Sequence, residues 1–370
     1  MNSNIPETIK KVSFDKNDII SLLSASTPDE IEIIRKRANE ILLKECGPDV
    51  YCRGLVEFSN QCINDCFYCG IRKSNSAIQR YFLNKKEIVE AAKFCADAGY
   101  GSIVLQSGER RDDYFIDFVE DAVKTIKKET TNKDLPHGLG VTLCVGEQKD
   151  DVYERFFEAG AHRYLLRIET TSPGLFARIH PARQTLDSRL KCLAALKRIG
   201  YQTGTGVMIG LPDQSMADLA DDVLFFRDND IDMIGMGPYI VHRQTPMARY
   251  ELEIKNKKSD IFNSALKMIA VVRIVCHDVN IASTTALQAM EPLGREQGLE
   301  FGANVIMPQV TPTDVRKNYM LYEGKPCLDE NASLCRSCIE QRIKSIGRNI
   351  GRDLWGDSRH FKKKHAGFCT

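Results

Sequence analysis

Eight short apolar segments recur along the chain, and polar or glycine-rich residues follow each of them. Segments of this kind predict β-strands, here at residues 51–58, 101–106, 138–144, 163–168, 202–209, 233–236, 280–282 and 304–307. Between them, apolar residues recur every three to four positions, which predicts amphipathic helices at residues 85–98, 112–129, 150–159, 188–199, 216–229 and 259–275.

Regular alternation of strands and helices predicts an α/β fold, a parallel (β/α)8 TIM barrel. We predict a complete barrel over residues 50–310, an N-terminal helical extension over 1–49 and a C-terminal extension over 311–370. The first extension is predicted to hold two helices, at 15–24 and 28–46, that cover the bottom or side of the barrel. In such barrels the reactive residues follow the strands, so candidate site residues are expected there.

Charge and hydropathy exclude several classes of function. The 51 basic and 50 acidic residues nearly cancel, so neither a nucleic-acid partner nor an acidic disordered tail is predicted. No apolar run approaches the roughly 18 residues that a membrane span needs, and the first residues lack the pattern of a secretory signal. We therefore expect a cytoplasmic protein without a membrane partner.

The chain has 13 cysteines, which in a reducing compartment predict metal binding rather than disulfides. Seven stand apart and are predicted to be small packing residues, namely Cys46, Cys52, Cys95, Cys144, Cys192, Cys276 and Cys369. The other six form two groups with metal-type spacing: Cys62, Cys66 and Cys69 as C-x3-C-x2-C, and Cys327, Cys335 and Cys338 as C-x7-C-x2-C.

The first group places three thiols on one short loop, without a fourth cysteine or a histidine in the next two dozen residues. Structural zinc sites use four protein ligands and electron-transfer iron–sulfur clusters usually use four cysteines, so three thiolates leave one metal position open for chemistry. A zinc site completed by a distant residue, or unliganded core cysteines, are the alternatives.

This motif, with Tyr68 before its last cysteine, resembles the signature of the radical S-adenosylmethionine (SAM) superfamily. The resemblance implies a 4Fe-4S cluster on the catalytic residues Cys62, Cys66 and Cys69, with SAM on the open iron and reductive cleavage to a 5′-deoxyadenosyl radical. It also implies a set of SAM contacts: Tyr68, Ser107, Gly108, Glu109, Thr142, Cys144, Glu169, Arg189 and Met208.

Alternatives remain open for several of these contacts. The turn at residues 107–109 resembles the Gly-Gly-Glu-like turn that contacts the methionine amino group, but its residues also suit a simple tight turn. Arg189 either pairs with the SAM carboxylate or is a solvated surface residue. Cys144 stands where relatives often have serine, and a thiol is the weaker hydrogen-bonding group.

The fourth predicted strand carries Arg163, Arg167 and Glu169 at positions of one parity. Charges that face a barrel interior are costly unless they are paired or bind an anion. We expect Glu169 to bind the amino group or ribose of SAM and Arg167 to be available for an anionic substrate. A buried structural ion pair is the alternative.

Five segments resemble the HydE branch of the superfamily, the FeFe-hydrogenase maturases. They are residues 57–62, 164–170, 208–212, 284–285 and 302–308. The likeness runs from about residue 50 to the end and includes the second cysteine group. It implies an accessory 2Fe-2S or 4Fe-4S cluster on Cys327, Cys335 and Cys338, to which a zinc or empty thiol site is the alternative.

The same resemblance implies a small organometallic iron–cysteine substrate made by the maturase HydG, with attack on one of its sulfur atoms. HydF is implied as a further pathway partner, and ferredoxin or flavodoxin as electron donor. The residues implied for the substrate are Arg53, Arg167, Thr284, Thr285, Met307, Tyr319 and Tyr322. Thr284 and Thr285 suit a helix cap equally well.

Three rival functions are weighed against this one. Biotin synthase uses further cysteines at strand ends, where this chain has only Cys144. Methylornithine synthase, a carbon-skeleton mutase, is the nearer rival, but it generally lacks the terminal cysteine triplet. An iron–sulfur carrier is the non-enzyme alternative, and it is expected to cleave no SAM.

Overall fold

The computed structural model describes residues 5–365, apart from the side chains of Leu334 and Cys335. A 3₁₀ helix covers Pro246–Tyr250. The α-helices are α1 (Ile5–Thr8), α2 (Lys16–Leu23), α3 (Pro28–Glu45), α4 (Lys85–Asp97), α5 (Asp113–Glu129), α6 (Asp150–Glu158), α7 (Pro173–Ile179), α8 (Leu186–Ile199), α9 (Met216–Asp228), α10 (Glu251–Asn256), α11 (Lys258–Cys276), α12 (Thr285–Met290), α13 (Gly294–Glu300), α14 (Thr313–Arg316), α15 (Ala332–Ser345) and α16 (Arg359–His365).

The strands form a parallel barrel. They are β1 (Asp49–Ser59), β2 (Ser102–Ser107), β3 (Gly140–Cys144), β4 (Arg163–Leu165), β5 (Gln202–Thr205), β6 (Met208–Ile209), β7 (Met233–Ile234), β8 (Gly237–Pro238), β9 (Asn280–Ile281), β10 (Val305–Ile306) and β11 (Asn349–Ile350). The sheet runs β10-β1-β2-β3-β4-β5-β7-β9, and a parallel bridge between Ala282 and Val305 brings its two ends together. The predicted TIM-barrel fold is thereby confirmed.

All eight predicted strands are present, but the third to the eighth are shorter than expected, the fourth and fifth most clearly. The fourth ends at Leu165, and the fifth separates into β5 and β6 around Gly206. At Gly206 the backbone passes so close to the next strand that an added Cβ would lie 1.9 Å from the carbonyl oxygen of Gly235. Above this point β6 pairs with β8, so the mouth of the barrel has its own small sheet.

The helices begin where the sequence supplies caps. The predicted cap Thr27 accepts a hydrogen bond from the Glu30 amide, and Glu30 bonds back to the amide of Thr27. Asp15, Asn84 and Ser215 form the same reciprocal box at the starts of α2, α4 and α9. The helices α7, α12 and α13, which the sequence pattern did not indicate, have only seven, six and seven residues, too few to show a helical period.

The N-terminal helices lie along the side of the barrel. Helix α3 packs against α11, and α2 packs against α9. Lys267 donates to the carbonyl of Ala25 over 2.8 Å, and Lys16 pairs with Asp221. Of the two placements expected from the sequence, the side of the barrel is the one found.

Residues near the C-terminus close the floor of the barrel, at the N-terminal ends of the strands. Strand β11 pairs with the start of β1. The buried guanidinium of Arg163 donates to the carbonyl of Trp355 and to Asp357, at 2.8 and 2.7 Å. Gly356 accepts from Arg53 at 3.0 Å and from Asn280 at 2.8 Å. The floor is therefore polar and hydrogen-bonded, while the mouth faces the cysteine loop.

Among residues 5–365, no helix combines the length and the apolar character that crossing a membrane requires.

Candidate active site

The cysteine loop follows β1 and lies over the mouth of the barrel. It is bonded to three other segments: the amide of Ile63 donates to Glu109, that of Phe67 to Ile179 and that of Gly70 to Leu321, over 2.9, 2.9 and 3.1 Å. Glu109 follows β2, Ile179 is the last residue of α7, and Leu321 belongs to the C-terminal segment. The loop is thus held from three directions, as expected for residues that follow the first strand.

Burial raises the pKa of all three thiols of this loop and so disfavours their thiolate form. Burial raises the pKa of Cys66 to about 12 and that of Cys69 well above its usual range, and each neighbouring thiolate adds to the effect. Deprotonation therefore requires compensation by a cation, which metal binding provides. Beside Cys66, whose thiol lies 3.5 Å from Oε1 of Gln184, the Nε2 of Gln184 is buried without a hydrogen-bond partner in the described part of the chain.

The turn at residues 107–109 is in contact with the cysteine loop. Gly108 donates to the carbonyl of Ser59 over 2.9 Å. A Cβ on Gly108 would lie 2.4 Å from the carbonyl oxygen of Gln61 and 2.8 Å from the Cβ of Cys62. Glycine is required here by close approach of two backbones, so this turn is more than a chain reversal.

Behind the turn lies a group of charges that are buried except for the half-exposed Arg111. Glu109 pairs with Arg111 at 2.6 Å and accepts from the amide of Glu147 at 3.0 Å. Arg189, placed by α8, lies 2.8 Å from Glu147 through its Nε and donates to the carbonyl of Arg167 over 3.0 Å. Arg189 is therefore buried and paired, and not the solvated surface residue of the alternative reading.

Glu169 and Arg167 form an ion pair inside the barrel. Nη2 of Arg167 lies 2.8 Å from Oε2 of Glu169, and the guanidinium also donates to the carbonyls of Gly235 and Val207. Tyr68 is 3.4 Å from the same carboxylate. Both charges face the interior as predicted, but Arg167 is committed to Glu169. This is the ion pair that the sequence analysis kept as the alternative to a free anion-binding arginine, with 27% of the Arg167 side chain exposed.

The remaining predicted SAM contacts lie at different heights of the barrel. Met208 begins β6 near the mouth, and its amide donates to the carbonyl of Glu169 over 2.9 Å. Cys144 ends β3, where burial raises the pKa of its thiol to about 11. Thr142 lies lower, and its hydroxyl accepts from Nε of Arg163 at 2.9 Å. Thr142 is therefore occupied by the floor network rather than open to the mouth.

Five of the predicted substrate residues surround the barrel interior or its mouth. The hydroxyls of Thr285 and Tyr322 are 2.8 Å apart, and Tyr319 is buried. Thr284 occupies the cap position of α12, yet its hydroxyl donates to the carbonyl of Met236 at 3.2 Å instead of capping the helix. Met307 lines the interior cavity.

Arg53 lines the same cavity from the floor. Besides Gly356, its guanidinium contacts the sulfur of Met233 at 3.1 Å, and its Nε is buried without a hydrogen-bond partner in residues 5–365. Burial lowers its pKa, and the charge of Arg163 adds to this effect. A substrate that reaches Arg53 must therefore extend down the barrel.

Several residues near the site escaped the sequence analysis. His180 packs edge-on against Tyr68, and burial lowers its pKa to about 4, so it is neutral. Lys325 pairs with Glu57 inside the mouth. Arg80 binds the cysteine loop itself. None of these residues belongs to a spacing motif.

The second cysteine group lies on the C-terminal segment. Cys327 has a positive φ of 62° and its sulfur lies 3.9 Å from Nη2 of Arg295, whereas Cys338 is exposed on α15. The side chain of Cys335 lies outside the described part of the chain, and so does Cys369. The accessory cluster therefore stays a prediction.

Comparison with known proteins identifies the family. The model of the radical SAM superfamily matches residues 56–226. The [FeFe] hydrogenase maturase subunit HydE of Thermotoga maritima is 42% identical, over 97% of this chain and 98% of its own. The chain belongs to the HydE family. It is a radical SAM enzyme, and membership implies a 4Fe-4S cluster and SAM, which the residues around the cysteine loop fit.

Other relatives of this HydE-family chain are more distant. The 3-methylornithine synthase of Methanosarcina acetivorans is 26% identical over 83% of this chain and 82% of its own. The crystal structure of methylornithine synthase (PylB) superposes with a TM-score of 0.78 at 23% identity, covering 94% of this chain and 97% of its own. HydG from Carboxydothermus hydrogenoformans gives 0.74 at 18%, covering 92% and 78%. These two structures support the fold alone.

Proposed function

We propose that this enzyme acts in the maturation of FeFe hydrogenase, on a small sulfur-containing iron complex. The observation that carries the proposal is the 42% identity to a HydE over nearly the whole of both chains. The identity to 3-methylornithine synthase is 26%, which makes the carbon-skeleton mutase the weaker candidate.

In this proposal the residues of the chain have separate tasks. Cys62, Cys66 and Cys69 hold the cluster, and the turn at 107–109 together with Glu169 holds SAM. When bound, the cluster and SAM supply a one-electron reduction that breaks a carbon–sulfur bond of the sulfonium and yields a 5′-deoxyadenosyl radical. The barrel wall excludes water from the space where the radical meets its target.

The interior of the barrel supports a compact substrate with both apolar and anionic parts. Its lining is mainly apolar, with the guanidinium of Arg53 and the hydroxyl of Thr142 toward the floor. The lining residues are Arg53, Val104, Thr142, Leu165, Met233, Ile234, Gly235, Asn280, Ala282, Val305 and Met307. Apolar walls suit carbonyl ligands, while guanidinium and hydroxyl donors suit cyanide and carboxylate groups.

Further parts of the proposal concern the partners. HydG is proposed as the source of the iron–cysteine substrate and HydF as a further pathway partner, with ferredoxin or flavodoxin as electron donor in the cytoplasm. The decisive experiment supplies the product of HydG to the reconstituted enzyme with SAM and reductant. We expect an adenosylated iron species, and formation of methylornithine from lysine instead would favour the mutase.

The second cysteine group is proposed to hold a peripheral accessory cluster. Replacing Cys66 by alanine is then expected to abolish SAM cleavage, whereas replacing Cys335 leaves most of it and lowers only the bound iron. Iron content and 5′-deoxyadenosine are measured on both variants. Equal loss of SAM cleavage in the two would contradict the peripheral role.

A further inference from the structure

The cysteine loop must be held in shape although it has little regular structure of its own. Between β1 and α4, residues 60–84 form turns and irregular backbone, with one isolated bridge between Ser59 and Phe82. Neither a helix nor a sheet satisfies the backbone carbonyls of such a segment, so side chains supply part of the hydrogen bonds. The donors that meet this need indicate which residue organises the loop.

One side chain supplies five of these hydrogen bonds. Nη1 of Arg80 donates to the carbonyls of Asn60 and Ile71, over 2.5 and 2.8 Å. Its Nη2 donates to the carbonyls of Arg72, Lys73 and Asn75, over 2.6, 3.3 and 3.1 Å. The guanidinium therefore joins the start of the loop to the turns on the far side of the cysteines. The rigid planar fork of arginine suits this arrangement, and the single ammonium of lysine does not.

Arg80 also carries a charge that its own contacts do not neutralise. In the described part of the chain, no carboxylate oxygen lies within ion-pair distance of it, and all five of its bonds go to neutral carbonyls. Burial lowers its pKa, and the negative groups that oppose this effect are Cys62, Cys69 and Asp65. The carbonyls of Asn60 and Ile71 that it binds lie two residues along the chain from Cys62 and Cys69, so its positive charge is close to the thiols of the loop.

We propose that Arg80 is the positioning residue of the cysteine loop: its fork fixes the loop in the shape that binds the cluster, and its charge favours the reduced cluster. The inference rests on the proposed function for the cluster and adds a residue outside the cysteine motif. Reduction adds one negative charge, so a cation nearby stabilises the reduced form and raises its midpoint potential.

The experiment separates the fork from the charge with three variants of the full chain. Arg80→Gln removes both, Arg80→Lys keeps the charge alone, and Lys73→Gln removes an exposed cation of the same loop as the matched control. Hydrogen exchange of the apoprotein reports the loop amides, for example Lys73, which donates to Asn64 over 2.7 Å. The midpoint potential of the reconstituted cluster is then measured by EPR-monitored titration.

We expect loop amides to exchange about tenfold faster in both Arg80 variants, while the amides of β2 and β3 keep their wild-type protection. The midpoint potential is expected to fall in Arg80→Gln, which loses the charge. It is expected to stay near the wild-type value in Arg80→Lys, which keeps the charge, and in Lys73→Gln, because the exposed charge of Lys73 is screened. Unchanged loop exchange in Arg80→Gln would overturn the positioning role, and a potential that Lys73→Gln lowers equally would overturn the role of its charge. A wild-type protein that binds no cluster would refute the proposed function instead, since the exchange measurement needs no cluster.

Discussion

At the scale of single residues, the ion pair with Glu169 makes Arg167 a residue that positions a carboxylate rather than one that binds a substrate. The guanidinium holds Glu169 and two backbone carbonyls, so its removal leaves an unpaired carboxylate at the mouth of the barrel. We expect Arg167→Ala to lower SAM cleavage and hydrogenase maturation in parallel, by about 100-fold. Without its partner, Glu169 is misplaced, and a displacement of about 1 Å at a reaction site lowers the rate by about that factor. Formation of 5′-deoxyadenosine and active hydrogenase are the two measurements.

The conservative variant Arg167→Lys serves as the control, because it keeps the charge and loses the fork. Intact SAM cleavage with failed maturation in Arg167→Ala would return this residue to the anionic substrate, as the sequence analysis expected.

Gly108 gives a second test at this scale. An added Cβ would meet the carbonyl oxygen of Gln61 at 2.4 Å, so Gly108→Ala must separate the turn from the cysteine loop. We expect kcat/KM for SAM cleavage to fall by about 100-fold. Gly174→Ala is the matched control, since a Cβ there meets nothing within 4 Å. Equal activity of the two variants would show that the contact between turn and loop is dispensable.

The sequence identified the site residues that belong to a spacing motif. It missed the residues that come together only in the folded chain. The three cysteines and the Ser107-Gly108-Glu109 turn were recognised from local patterns. Arg80 and Lys325 escaped, because their partners are backbone carbonyls or a carboxylate far along the chain. Likewise, parity predicted that Arg167 faces inward but gave no means to choose between a substrate and Glu169 as its partner.

At the scale of elements, the segment after β10 ties the C-terminal part of the chain to β1. Lys325 and Glu57 form an ion pair with 6% and 2% of their side chains exposed, and Gln309 donates to the same carboxylate over 2.7 Å. Asn318 accepts from Asn60 at 2.7 Å, which brings this segment to the cysteine loop. The segment therefore belongs to the mouth of the barrel.

Breaking this pair is expected to be costly. Lys325→Met leaves the carboxylate of Glu57 buried without its cation, which costs about 3–5 kcal/mol of unfolding free energy. The double variant with Glu57→Gln is expected to recover most of the loss, because neither buried charge then remains. Urea unfolding measures both variants. A loss below about 1 kcal/mol in Lys325→Met would show that the pair contributes no more than a solvent-exposed salt bridge.

Element boundaries followed the sequence where caps and periodicity agree, as at Thr27 and α3. They failed where tertiary contacts decide. Strand β4 has only three residues, and β11 pairs with β1 although its dipeptide carries no strand pattern. The floor formed by residues 355–358 depends on Arg53 and Arg163, which no local signal connects to the C-terminus.

At the scale of the whole molecule, a histidine fastens α16 to the body of the protein. Nδ1 of His360 lies 2.9 Å from Asp278, and Nε2 contacts Asp230. Lys363 and Lys364 also pair with these two carboxylates. The pKa of His360 is raised, first by its hydrogen bond to Asp278 and then, against burial, by Asp230.

A raised histidine pKa stabilises the fold at acid rather than alkaline pH. The contribution is complete below the unfolded value of about 6.5 and is lost as pH rises through the folded pKa. We expect His360→Gln to flatten the pH dependence of unfolding free energy above about pH 6.5. Burial raises the pKa of Asp222 to about 7, so the free energy of unfolding also falls as pH rises through the titration of this carboxyl. The difference between wild type and variant isolates His360, and identical curves would contradict its role.

The central claim is that the cysteine loop over the barrel mouth supports reductive cleavage of SAM. The most direct test incubates the anaerobically reconstituted protein with SAM and a strong reductant, and measures 5′-deoxyadenosine. The account predicts formation that requires reductant and is absent in Cys66→Ala. A wild-type protein with a complete cluster that forms none, or a Cys66→Ala variant that forms as much as wild type, would contradict it.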